Sequence, residues 1–270
     1  MPSLHEISPV QLMRLIGTPD APRLLDVCID DDFTQDPRLI PTAQRCLHRV
    51  VDARASQLDG QHVVVICQKG KKLSQGAAAI LRSHGIRAEF LQGGIHHWRD
   101  AGLPLIPADR LTKSGAFWVT RHRPKIDRIA CPWLIRRFVD PAARFLFVHP
   151  GEVALIAEKF DAIPFDVEGV PLSHHGDRCS FDAMLDHFCL DTVPLQALAT
   201  VIRAADTNRH DLAPEAAGLL AISVGLSRAY KDDLAQLEAA MGLYDAFYRW
   251  ARDGRGEGHD WAPDRKDVPS

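Results

Sequence analysis

The sequence predicts an α/β chain. A parallel sheet with helices on both faces fills the first hundred residues, and a second, mainly α (α+β) unit follows. Three observations carry this reading. Short β-branched runs, Val63-Val64-Val65-Ile66 foremost, alternate with segments of helical period. Helix start and stop signals (Ser8-Pro9, Gly17, Gly85) fall between them. Past Gly115 the alternation stops, and after Ser180 the helical period runs almost unbroken.

Ser8-Pro9 opens a helix through Val10, Leu12, Met13, Leu15 and Ile16, which Gly17 closes. Arg23 to Val27, Val63 to Ile66 and Ala88 to Leu91 read as strands, and Ser74 to His84 and Ile95 to Ala101 as helices. Strands separated by helices require crossovers, hence the parallel sheet. Pro104 and Pro107, with the polar run Asp109 to Gly115, mark a linker. The expected boundaries are therefore 1–106, a linker at 107–116, a second domain at 117–252 and a flexible tail at 253–270. In the second domain Phe117 to Thr120 and Arg144 to Val148 read as strands. Ile126 to Val139 is a helix with Ile126, Ile129, Trp133, Leu134 and Phe138 on one face. Four more helices are expected at about 181–188, 194–205, 214–226 and 232–252, with Pro194 and Pro214 near helix starts.

Composition narrows the function. The 270 residues suffice for two domains, each with its own core. Apolar content of 46% and charged content of 25% suit a globular protein, and a net charge of −3 argues against nucleic acid or a membrane surface as partner. No stretch approaches the roughly 20 apolar residues that cross a bilayer. Met1 to Glu6 lacks the pattern of a signal peptide, so the six cysteines are expected as reduced thiols in a cytoplasm.

Cys67 closes the most apolar strand. Gln68, Lys69, Gly70, Lys71, Lys72 and Leu73 follow it, with Ser74 as the expected N-cap of the next helix. Unpaired amide N–H groups, a helix dipole and three lysines all favour thiolate, the nucleophilic form. Gly70 supplies backbone freedom for the turn, and the loop is suited to cradle an anion. A buried structural thiol is the alternative.

Residues 4 to 105 resemble the rhodanese sulfurtransferases. The likeness rests on Leu24-Leu25-Asp26-Val27, Ile40-Pro41-Thr42-Ala43, the cysteine loop, and Leu91-Gln92-Gly93-Gly94-Ile95-His96-His97-Trp98 running on to Ala101-Gly102-Leu103-Pro104. It implies a rhodanese-like α/β fold and a Cys67 persulfide that passes sulfur from a small-molecule donor to a thiol acceptor, with no cofactor needed. Residues 68–73 would bind the anionic donor. Cys28 stands where many rhodaneses have arginine, and the loop carries lysines where arginine is frequent. Lysine is a point charge without a planar fork, which bears on donor selection.

The second domain holds three polar clusters. In the first, Arg121, Arg123, Lys125 and Arg128 surround a helix start, a candidate oxyanion site, and Asp127 and Cys131 share a helix face. The second is Ser173-His174-His175-Gly176-Asp177-Arg178-Cys179-Ser180-Phe181-Asp182, leading into a helix. The third is Ala204 to His210, where a continued helix would stack Asp206 and His210. Each is equally a solvated charge run or an ordinary helix end.

The segment from Trp118 to Ala251 resembles the C-terminal domain of chromate-resistance (ChrB-type) proteins. It does so through Ile126-Asp127-Arg128-Ile129-Ala130-Cys131-Pro132-Trp133, His174 to Asp182, and Ala217 to Ser223. The leading reading is a cytoplasmic sulfurtransferase fused to a domain associated with chromate resistance. The alternative is a metal- or oxyanion-binding protein that handles or senses chromate, with the first domain as redox or regulatory partner. Its candidate ligands for a divalent ion (Zn, Fe or Mn) are His122, Asp127, His174 and Asp206, His or carboxylate groups in the family-like segments.

Overall fold

The computed structural model describes residues 4–258. The first half runs β1 (Glu6–Ile7), α1 (Pro9–Leu15), β2 (Arg23–Asp26), α2 (Asp30–Gln35), β3 (Arg38–Leu39), β4 (Gln44–Arg45), α3 (Val51–Arg54), β5 (His62–Ile66), α4 (Lys72–Ser83), β6 (Arg87–Leu91) and α5 (Gly94–Asp100). Its sheet has the order β1-β6-β5-β2-β4, and every neighbouring pair is parallel. The β-branched run of β5 occupies the centre, fully buried from Val63 to Ile66, as a strand covered on both faces requires. Ser8 caps α1 in a reciprocal box: its hydroxyl accepts from the Gln11 amide, and the Gln11 side chain accepts from the Ser8 amide.

The second half adds β7 (Ile106–Pro107), β8 (Phe117–Arg121), α6 (Asp127–Leu134), β9 (Arg144–Val148), α7 (Val153–Phe160), β10 (Ile163–Pro164), α8 (Ser180–His187), α9 (Val193–Asp206), α10 (Ala216–Ala229) and α11 (Asp233–Arg249). β7 pairs with β3, and β10-β8-β9 form a second parallel sheet. The expected helix over 126–139 is α6 continued by a π turn at Ile135–Val139, and α11 likewise ends in a π turn at Trp250–Gly254. α7 and β10 go beyond the sequence reading. α7 leaves Leu155 and Phe160 at least half exposed, so its apolar residues do not form a clean stripe. Of the expected tail, residues 253–254 close the last helix, and 259–270 lie outside the described residues.

One contiguous core crosses both halves. Trp133 is its hub in the second half, with the rings of Phe138, Phe181, Tyr244 and Tyr248 around it. Its indole N–H donates to Asp245 at 2.8 Å, and Arg137 holds the same carboxylate with two bonds of 2.8 Å. The seam between halves is tight at Gly17, φ +81°, where an added Cβ would strike Phe138 and Tyr248. Across the seam the Thr42 amide donates to the Phe138 carbonyl at 3.0 Å, and Arg252 donates to the Arg14 carbonyl at 2.8 Å. The connection at 107–116 is docked. Pro107 lies in β7, and the Gly115 amide donates to Asp140 at 2.6 Å.

Candidate functional site

Cys67 follows the last residue of β5, at the C-terminal edge of the parallel sheet, where open α/β sheets bind ligands. The chain then turns through Gln68 to Lys71 into α4. Ser74 is the third residue of that helix, not its cap, because α4 begins two residues earlier, at Lys72. Its hydroxyl lies 3.1 Å from Cys67 Sγ and 3.2 Å from the Lys71 carbonyl. The thiol therefore rests against the first turn of α4. Among the described residues, the amide N–H groups of Gln68, Lys69, Gly70 and Lys71 have no protein acceptor. Four donors beside one thiol form a site for negative charge.

Two glycines make this loop possible. Gly70 (φ +62°) and Gly94 (φ +61°) pack backbone to backbone: a Cβ on Gly70 would strike the Leu91 carbonyl, and one on Gly94 the Cys67 carbonyl. Behind them the Ile95 and His96 amides donate to the Cys67 and Gln68 carbonyls, both at 3.1 Å, tying the loop to α5. Lys69, Lys71 and Lys72 are exposed, and Gln68 and Leu73 are half-buried. A cavity of about 180 Å³ beside the loop is lined by Cys28, Asp32, Asp36, Gln68, His96 and Arg99 among others. Cys28 stays a thiol, since burial and then the Asp26 charge push its pKa up. Asp26 is itself raised by burial, although it accepts from the Cys28 amide at 2.8 Å. Arg99, which the sequence reading did not single out, meets Asp36 at this cavity at 3.6 Å.

The second half assembles a polar cluster from four separate segments. Asp127 opens α6, Asp166 follows β10, His174 precedes α8, and Asp206 ends α9. His174 Nε2 lies 3.2 Å from Asp127 Oδ2, 3.2 Å from Asp206 Oδ2 and 3.4 Å from Asp166 Oδ1. Asp127 and Asp166 are 3% exposed and His174 is 39% exposed, so the site is closed behind and open in front. The front faces a cavity of about 700 Å³ lined by Arg121, Asp166, Glu168, Gly169, Pro171 and His175 among others.

The surrounding bonds fix each carboxylate differently. Asp166 Oδ2 takes Arg121 at 2.9 Å and Arg128 at 3.1 Å, while Oδ1 accepts the Ser180 hydroxyl at 2.8 Å. Burial opposes ionisation of Asp166, but hydrogen bonds from His174, Ser180 and Arg121 outweigh it and hold its pKa below the ordinary range. Asp127 is raised, foremost by burial, and accepts from the Ser180 amide at 3.2 Å. Burial, then the charge of Asp127, lifts Asp206 to about 7. Hydrogen bonds to Asp127 and then Asp166 raise His174 to about 10. Cys131 and Cys179 are buried close by, and burial keeps both thiols protonated. Arg203, one turn before Asp206, meets the fully buried Asp182 of α8 at 2.6 Å and so locks α9 against α8.

Of the four ligand candidates read from sequence, Asp127, His174 and Asp206 come together, each with one ligand atom within 4.8 Å of the others. His122 does not. It is exposed, its ring 5.9 Å from that of His149, because positive φ at Arg123 and Ile126 turns the chain between it and Asp127. His210 does not share a helix face with Asp206, since α9 ends at Asp206 and Asn208 adopts φ +56°. The four cations of the oxyanion reading diverge. Arg121 and Arg128 converge on Asp166, Arg123 donates to the Ser227 carbonyl at 3.3 Å, and Lys125 is exposed. Asp166 escaped the sequence reading. The available signal was a solitary buried aspartate between Phe165 and Val167, which takes φ +50°.

Comparison with known proteins finds two family matches along the chain. The model of the rhodanese-like domain matches residues 8–101, and that of the ChrB C-terminal domain matches residues 118–251. Protein ChrB of Cupriavidus metallidurans is 37% identical over 135 residues, which cover 50% of this chain and 40% of that protein. The chain thus matches less than half the length of this curated relative. Among solved structures, a rhodanese-related protein from Thermoplasma volcanium is 21% identical, with a TM-score of 0.33 over 38% of this chain and 97% of that one. A thiosulfate sulfurtransferase from Pseudomonas aeruginosa is 27% identical, with a TM-score of 0.32 over 38% of this chain and 19% of that one.

Proposed function

We propose that this chain, a rhodanese-like domain followed by a ChrB C-terminal domain, transfers sulfane sulfur through Cys67. The observation that carries the reading is the Cys67 loop. Its thiol sits against the first turn of α4, next to a loop whose four amide donors have no protein acceptor among the described residues.

In the first step the Cys67 thiolate attacks the outer sulfur of a donor such as thiosulfate. An S–S bond forms on Cys67 as the donor's S–S bond breaks, and sulfite leaves with the bonding pair. The terminal sulfur then carries the negative charge, which the Ser74 hydroxyl and the amides of residues 68–71, without acceptors among the described residues, would stabilise. In the second step an acceptor thiolate or cyanide attacks that sulfur, and Cys67 leaves as thiolate. Lys69, Lys71 and Lys72 are exposed and, among the described residues, without ion-pair partners, so they raise the local concentration of anionic donors. Arg99, at the small cavity, is paired with Asp36 at 3.6 Å, so the free positive charge near the loop comes from the lysines.

A thiosulfate-to-cyanide assay tests the reading. Cys67→Ser is expected to lose thiocyanate formation by about four orders of magnitude, as loss of a nucleophile does. Transfer at the wild-type rate in that variant would overturn it.

A further inference from the structure

We infer that Asp127, His174 and Asp206 bind one divalent transition-metal cation, independently of the chemistry at Cys67. Three elements distant in sequence deliver their ligand atoms to one point within 4.8 Å of each other. The cluster is not a run of surface acids: Asp127 is buried and comes from the first turn of α6.

The decisive feature is the crowding around one ring nitrogen. Carboxylate oxygens of Asp127, Asp206 and Asp166 all lie 3.2–3.4 Å from His174 Nε2. A ring nitrogen carries at most one proton and directs it along one line, so one N–H cannot serve three carboxylates. A cation between the imidazole and the carboxylates would bind the nitrogen lone pair and two oxygens at once, which a proton cannot do.

The donor set also selects the class of ion. One imidazole nitrogen and two carboxylate oxygens suit Mn²⁺, Fe²⁺ or Zn²⁺, and the neighbouring thiols of Cys131 and Cys179 are not among the grouped ligands. Asp166 is already committed to Arg121, Arg128 and Ser180, so it acts as a positioning group beside His174. Three protein ligands, with the cavity of about 700 Å³ in front of His174, leave coordination positions open to a small ligand. Sites that bind substrate share this openness, whereas structural sites are closed.

The test uses the full-length chain, stripped with chelator and titrated with Mn²⁺ and with Zn²⁺ by calorimetry, with metal content measured afterwards. One equivalent is expected. His174→Ala and Asp206→Asn should weaken binding by about a hundredfold or more. Asp177→Asn, an exposed carboxylate on the same loop, should bind as wild type does. Circular dichroism and melting confirm that each variant is folded. No stoichiometric uptake by wild type, or unchanged affinity in folded Asp206→Asn, would overturn the assignment.

Discussion

The Ser74 hydroxyl lies 3.1 Å from Cys67 Sγ, and both groups are buried. A hydroxyl so placed can donate to the thiolate and to the persulfide that follows it. It is the one side-chain hydrogen bond that the thiol makes among the described residues. Ser74→Ala should lower kcat/KM for thiosulfate by about tenfold, the worth of one hydrogen bond to a charged group, and leave the fold intact. Steady-state thiocyanate formation checks this. An unchanged rate would remove Ser74 from the mechanism.

The Asp–His cluster should make the metal-free chain less stable as pH rises. His174 titrates near 10 in the folded chain against an ordinary 6.5, so the folded state keeps a proton that the unfolded state releases. Its stabilisation is complete below 6.5 and lost as pH climbs through 10. Asp206, near 7 against 3.8, acts in the same direction at lower pH. Asp166, held below its ordinary value, opposes them only in acid. Urea midpoints measured with chelator present should therefore fall steadily between pH 7 and 10, and that slope should flatten in His174→Gln. A flat wild-type profile would contradict the protonated imidazole.

Gly17 should report on the union of the two halves. Its φ of +81° and the Phe138 and Tyr248 rings beside it leave no room for a methyl group. Gly17→Ala should cost about 2 kcal/mol or more, from left-handed strain and overpacking together. Denaturant unfolding measures the cost. It should also separate the loss of near-UV signal from the second half's tryptophans from that of far-UV signal, since the seam no longer couples them. A variant as stable as wild type would mean that the seam contributes little.

Local signals carried much of the fold and the first site. Val63 to Ile66 announced the central strand through composition, and Cys67 with Gly70 announced the loop through chemistry. Ser74 was misplaced as a cap because the loop is shorter than its polar residues suggested. In the second half, the Asp127–Cys131 spacing indicated a shared helix face, and the structure buries both residues. His122 qualified as a histidine of a family-like segment, but positive φ at Arg123 and Ile126 redirects the chain between it and Asp127. Asp166 had no periodic context. Its role depends on Arg121, 45 residues away, and on strand pairing between β8 and β10, which only the folded topology supplies.

The central claim concerns sulfur on Cys67, and intact-mass spectrometry after exposure to thiosulfate tests it most directly. The full-length chain is incubated with thiosulfate, desalted, digested and mapped, with and without a cyanide chase. The expected result is one added sulfur atom, located on Cys67, removed by cyanide and absent from Cys67→Ser. An unmodified chain, or sulfur carried on another of the six cysteines while Cys67 stays a thiol, would contradict the assignment of Cys67 as the sulfur carrier.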